Sequence, residues 1–266
     1  MNKVTEFFKR FYVYIILFVV YTPLFVGAVF SFNKTIKGQY NSSWAGGTTE
    51  NWLTLFAERR DVALVNTILI ALVVSILVVI LSLVTAYALY RQKNKLIRRF
   101  VSSTSNIPLV NPDNITALGL VLVFGVFFGI IGVDKEGMLR VIVGHTVMIL
   151  PYGLSLTIPR SEKFNNNLYE AAQDLGHNKF VAWLKTYFVY MLPAVTMVIL
   201  VSTVLSFDDY IIAHVVSNTS TLGTKMYEGE FKPWGLVIGT IILAFVIVGN
   251  IIYSATKIKK GRQKVK

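Results

Sequence analysis

The chain has 266 residues, of which 54% are hydrophobic and 15% charged, with a formal net charge of +12. It contains no cysteine, which excludes disulfides and cysteine-ligated metal sites. Its apolar residues are gathered into blocks of about 20, the length that crosses a ~30 Å hydrocarbon core; this excludes an ordinary soluble fold and predicts one polytopic, all-α membrane domain over residues 1–266.

Six spans are expected, at about 11–32, 62–90, 115–133, 138–159, 190–213 and 234–256. The first follows a basic start and is longer than the ~7–15-residue core of a signal peptide, and no Ala-x-Ala site follows, so it reads as an uncleaved span. Pro23 interrupts it, a break that neighbouring helices can accommodate. The loop 33–61 is polar, Gly-rich around Ala45-Gly46-Gly47, and carries Trp44 and Trp52; these suit a membrane interface and predict a short interfacial segment. Before the third span, Pro108 and Pro112 flank Asn111, Asp113 and Asn114, which predicts a polar, broken entrance. Within that span, Gly125-Val126-Phe127-Phe128-Gly129 has the small-xxx-small spacing that lets helix backbones pack closely in a bundle. The short turn from Gly132 to Gly137 makes spans three and four an antiparallel pair. His145 and His214 are expected to pack or hydrogen-bond rather than ligate, and Asn66 and Asn250 to hydrogen-bond between helices.

An even number of spans puts both termini on one side. That side carries 18 of the 26 Lys and Arg residues, at Lys3, Lys9 and Arg10, in 91–99, in 160–185 and in the tail 257–266. Basic loops stay cytoplasmic, so both ends and the loop 160–189 are expected inside. The basic excess is thus a topology signal and an attraction to anionic lipid rather than a nucleic-acid footprint.

The fifth expected span contains Ser206-Phe207-Asp208-Asp209-Tyr210. An ionisable residue inside a span costs at least ~2.5–3.5 kcal/mol, so two adjacent carboxylates predict a cation path. Candidates for its lining are Asp208, Asp209, Tyr210 and, near the other mouth, Asp113. Adjacent helical residues point about 100° apart, so one aspartate is expected to face the path and the other to pair with a buried Arg, Lys or backbone group.

The loop between spans four and five is the most distinctive polar stretch. Glu170, Ala171, Ala172, Gln173 and Leu175 favour a short helix, and Gly176 supplies a positive-φ position to end it. Phe180, Trp183, Leu184 and Tyr187 then fall on one stripe of a second helix, and Pro193 is read as the start of span five. Glu-Ala-Ala, the Gly six positions after the Glu, and Leu192-Pro193 together resemble the cytoplasmic coupling loop of ABC importer permeases. That resemblance implies that Glu170, Ala171, Ala172, Asp174, Leu175, Gly176 and Phe180 meet a cytoplasmic ATPase. The pattern departs from the family where an Ile-x-Leu-Pro element is usual, since Thr186-Tyr187-Phe188-Val189 stands there.

The resemblance extends along nearly the whole chain. Phe30-Ser31-Phe32-Asn33, Ala88-Leu89-Tyr90-Arg91, Asn111-Pro112-Asp113, Tyr169 through Gly176 and the Asp208-Asp209 pair look like the permease subunit of spermidine/putrescine importers. This implies the six-helix type I importer fold, termed MetI-like, in a bacterial plasma membrane. The implied partners are a second, similar permease, two cytoplasmic ATPases and an extracytoplasmic polyamine-binding protein. No Gly-Lys pair occurs, so the chain has no phosphate-cradling Gly-x-x-x-x-Gly-Lys loop, and no His-Glu-x-x-His or Gly-x-Ser-x-Gly element appears. No catalytic residue, metal or cofactor is therefore expected on it, ATP and magnesium belonging to the ATPase partners. Two other readings use the same spans: an importer permease for ferric ion, thiamine or phosphonate, and a transporter working without ATP.

Overall fold

The computed structural model describes residues 3–36, 41–110, 112–130, 137–227 and 232–263. Its helices in chain order are α1 (Lys3–Phe30), α2 (Glu50–Leu53), α3 (Arg60–Arg91), α4 (Lys95–Val110), α5 (Asp113–Ile130) and α6 (Met138–Ser161). Then come α7 (Asn166–Asp174), α8 (Lys179–Trp183), a π-helical turn (Leu184–Phe188), α9 (Val189–Asp208), α10 (Ile211–Val216), α11 (Leu222–Tyr227) and α12 (Trp234–Gln263). Among the described residues the fold is helical, with an isolated bridge between Asn33 and Gly47. Residues 11–30, 60–91, 138–161 and 179–208 are long and apolar enough to cross a membrane, and 113–127 and 234–249 are shorter apolar helices.

Two compact units are present, residues 1–60 with 226–266, and residues 61–225. In the first, Gly27 near the end of α1 lies 3.7 Å, measured from an added Cβ, from Leu236 near the start of α12. None of the apolar window of α1 is buried within the chain. A polar cap sits beyond α1. The Asn33 amide donates to the carbonyls of Asn41 and Ser43 and accepts from the Ala45 N–H, while Asn51 donates to the carbonyls of Ser31 and Asn33. The loop 33–61 contains the short helix α2, where Trp52 stacks on Phe32 at 5.0 Å.

The second unit is built on α3, α6, α9 and α10. Ile70, Val74 and Val78 of α3, Val141 and Ile149 of α6, Val198 and Ala213 make its central buried cluster. The helices approach closely where glycine allows it. A Cβ on Gly153 would lie 2.8 Å from Val78, and one on Gly144 would lie 2.7 Å from Ile212, so a larger residue at either place requires its neighbour to shift. Hydroxyls tie the same helices together, Ser75 to Thr203 at 2.9 Å and Ser161 to the Ala86 carbonyl at 3.1 Å.

Four details differ from the expectation. The stretch before the third span is helix α4, with Pro108 inside it; its charged and apolar residues alternate in helical register, giving almost no net hydrophobicity to find in a hydropathy reading. Gly125 meets nothing within 4 Å, so it does not serve close packing among the described residues. The fifth span does not begin at Pro193 or continue to 213. Helix runs without interruption from Lys179 to Asp208, Pro193 lies within it, and Asp209 is extended at φ −68°, ψ 128°. Asn111 and the turn 131–136 lie outside the described residues.

Candidate functional site

The first candidate site is the loop between α6 and α9. Asn165 caps α7, its side chain accepting from the Asn167 N–H, and favourable helix formers carry the chain to Asp174. The helix stops by a double bond back onto its last turn: Gly176 N–H donates to the Gln173 carbonyl at 2.8 Å and His177 N–H to the Ala172 carbonyl at 3.2 Å. This Schellman arrangement needs a left-handed residue, and Gly176 has φ +86°. Asn178 then caps α8 by accepting from the Val181 N–H at 2.9 Å. The result is a small two-helix knob.

Of the predicted coupling residues, Glu170, Ala171, Asp174, Leu175, Gly176 and Phe180 are exposed and Ala172 is buried. Leu175 is 80% exposed and Phe180 68%, an apolar tip on an otherwise polar loop. The stripe Phe180, Trp183, Leu184, Tyr187 runs from that exposed tip to the interior, because Tyr187 is fully buried. Tyr187 is the centre of an aromatic plug, 4.7 Å from the Tyr87 ring, 5.2 Å from Phe164 and 5.7 Å from Trp183. Its hydroxyl donates to Ser161 Oγ at 2.8 Å. Tyr90 donates to the Phe164 carbonyl, Arg160 donates to the Tyr190 carbonyl and lies over the Tyr190 ring, and Arg98 pairs with Glu162. The knob is thereby bolted to the ends of α3 and α6.

The π-helical turn and α9 carry the chain on from α8. Val189 occupies the place where a proline was expected, and the helix passes through it; the missing N–H of Pro193 falls just after the wide turn at 184–188. A helix of 30 residues therefore links the knob to the aspartate pair, a distance of about 45 Å.

At its far end the two aspartates part company. Asp209 ends the helix and turns inward, its side chain 6% exposed. Asp209 Oδ2 lies 3.0 Å from His145 Nε2 and accepts from the Ala213 N–H at 2.9 Å, and Oδ1 accepts from the Ile212 N–H at 3.4 Å. Asp209 is thus the cap of α10 as well as the partner of a histidine. The expected Arg or Lys partner is not what is found; the backbone part of that expectation is. His145 Nδ1 lies 2.9 Å from Ser206 Oγ. Asp208 is exposed, with no hydrogen bond or ion pair to it among the described residues. Tyr210 stacks on His214 at 4.9 Å. Asp113 is exposed in the first turn of α5, whose Ala117, Leu120 and Phe124 share a buried cluster with Ile212 and Val216.

The segment after Asp209 is held on several sides. A Cβ on Gly223 would lie 2.2 Å from the Asp209 carbonyl oxygen, so only glycine fits there. Asn66 donates to the Ser220 carbonyl at 3.0 Å and Leu222 N–H donates to Thr67 Oγ1 at 2.8 Å. Among the described residues no group of three His, Cys, Asp or Glu side chains is arranged to hold a metal.

Residues 82–256 match the family described as "Binding-protein-dependent transport system inner membrane component". The chain belongs to that family of transport permeases. Among its relatives, the spermidine/putrescine transport system permease protein PotC homolog of Mycoplasma genitalium is 27% identical, with 96% of this chain and 93% of the relative covered. The putrescine transport system permease protein PotI of Escherichia coli K12 is 30% identical, with 87% and 82% covered. A bacterial ABC transporter solved in connection with import of the acidic polysaccharide alginate has a chain that superimposes with a TM-score of 0.65 at 14% identity, covering 97% of this permease and 98% of that chain. The permease therefore has the fold of an ABC transporter membrane subunit, as its helices and family both indicate.

Sequence reading found the aspartate pair and the knob but missed His145 as the partner of Asp209. Its signal was a histidine at a helical position expected to be in lipid, where an uncompensated polar ring is costly. Nothing local to His145 pointed to an aspartate so far along the chain. Ser206 and Gly223 were equally silent, their roles depending on contacts between distant segments.

Proposed function

We propose that this permease is a subunit of an ATP-driven importer for polyamines of the spermidine/putrescine class. It would form the translocation path with a second, similar permease, take its cargo from an extracytoplasmic binding protein, and be driven by two cytoplasmic ATPases. Both termini and the knob face the cytoplasm, on the Lys and Arg distribution. The names of the relatives support the cargo, and the family description supports the binding protein. The exposed apolar tip at Leu175 and Phe180 supports a protein partner for the knob, because a loop that met only water would gain nothing from it.

One observation carries the cargo reading: Asp208 stands exposed at the end of a membrane-spanning helix while its neighbour is tied up. A polyamine is a flexible polycation. A path for it needs carboxylates that attract without trapping, which a single exposed aspartate provides. When the ATPases close, the knob is displaced, and the continuous helix from Lys179 pivots about its held end beside Asp208. The test is uptake of labelled spermidine into vesicles containing the whole importer. Asp208→Asn is expected to lower uptake at limiting spermidine at least tenfold. Full uptake by that variant would overturn the role of Asp208, and preferential uptake of thiamine, phosphonate or ferric ion by the parent would overturn the cargo assignment.

A further inference from the structure

Ser206, His145 and Asp209 form a buried hydrogen-bonded chain. In the tautomer that presents Nε2–H to an ionised Asp209, which can only accept, Nδ1 of the neutral ring accepts from the Ser206 hydroxyl. The ring is 1% exposed and Ser206 2%. Asp209 therefore receives three donors, the imidazole and the N–H groups of Ala213 and Ile212. A cation reaching Asp209 would have to displace contacts that also cap α10 and end α9. Asp208 carries no such obligation.

From this we infer that His145 is a positioning residue for the cation path. It holds Asp209 as the structural member of the pair, fixes the angle at which α9 ends, and so leaves Asp208 as the carboxylate presented to cargo. The inference rests on the polyamine reading above, and it deepens that reading by dividing the aspartates between two roles. Three neighbours make the assignment specific. Gly144, beside His145, admits Ile212 at a distance where no side chain fits. Gly223 lets its backbone lie on the Asp209 carbonyl. Ser206, one turn before the break, fixes the ring from its other nitrogen. A histidine placed only to fill space would not have both nitrogens engaged, one to the helix before the break and one to the residue at the break.

The test uses the assembled importer in proteoliposomes, with spermidine as the probe and transport kinetics as the readout. His145→Gln keeps a donor for Asp209 and an acceptor for Ser206, and is expected to keep KM within about threefold of the parent. His145→Leu fills similar space with neither group, and is expected to raise KM for spermidine at least tenfold. Combined with Asp208→Asn it should add less than threefold to the effect of Asp208→Asn alone, since both changes remove the same contact. An unchanged KM in His145→Leu, or effects that multiply in the double variant, overturns the inference. Should His145→Leu fail to assemble, Ser206→Ala decides: KM raised about threefold at unchanged maximal rate supports positioning, and an unchanged KM refutes it. Failure of the cargo reading is separable, because it shows as absence of spermidine uptake by the parent importer.

Discussion

The two ends of the helix from Lys179 to Asp208 are both abrupt, and they are built in opposite ways. At the knob, the chain reverses through an exposed glycine, and the backbone groups of the turn itself satisfy one another. At the aspartates, the chain breaks at a residue with no such freedom, and beside the local N–H groups of Ile212 and Ala213 the break is held by His145, on another helix, and by the room that Gly223 leaves for the Asp209 carbonyl. A locally made end can be moved as a rigid handle. An end made by tertiary contacts is fixed to whatever those contacts belong to, here α6 and the segment before Lys225. The contrast suits a lever held at one end and pushed at the other.

The largest effect is expected from breaking the local end. Gly176→Pro forbids φ +86° and deletes the N–H that closes α7, so ATP-driven uptake should fall at least a hundredfold while the chain still inserts and assembles. Vesicle uptake alongside copurification of the partners measures both. Next comes the bolt beneath the knob. Tyr187→Ala empties a fully buried aromatic site and is expected to destabilise by about 3–5 kcal/mol, visible as a lowered Tm of the purified complex.

The ease with which the two ends could be anticipated follows the same division. The knob was legible because each of its signals is local: helix formers, an asparagine cap, a glycine at the stop and an apolar residue beyond it. The four helices among the described residues that are long and apolar enough to cross a membrane were legible as apolar runs. Helix α4 was not, since Lys95, Arg98, Arg99 and a run of hydroxyls cancel its apolar face in any average. The break at Asp209 was hidden inside a run that reads as continuous helix, with no glycine or proline to mark it. Pro193 misled in the other direction, because a membrane helix can carry a proline that would end a soluble one.

Smaller effects sharpen the far end. Gly223→Ala places a Cβ where only 2.2 Å is available to the Asp209 oxygen, and should cost about 1–3 kcal/mol of stability along with a raised KM for cargo. Asn66→Ala removes a single bond to the Ser220 carbonyl and should cost only ~0.6–2 kcal/mol, seen in Tm and not in KM. A KM change in Asn66→Ala would mean that the whole segment after Asp209, rather than the histidine pair, sets the aspartate's position.

Coupling requires that the knob be gripped by an ATPase. Because the chain has no cysteine, Leu175→Cys introduces a single thiol at the most exposed apolar point of the tip. Treating cells that express the whole importer with a short thiol-to-amine cross-linker should join this chain to the ATPase subunit, and the yield should change when ATP is bound. If no such product forms and the thiol is instead labelled by a membrane-impermeant reagent from outside the cell, the coupling role and the orientation are both wrong.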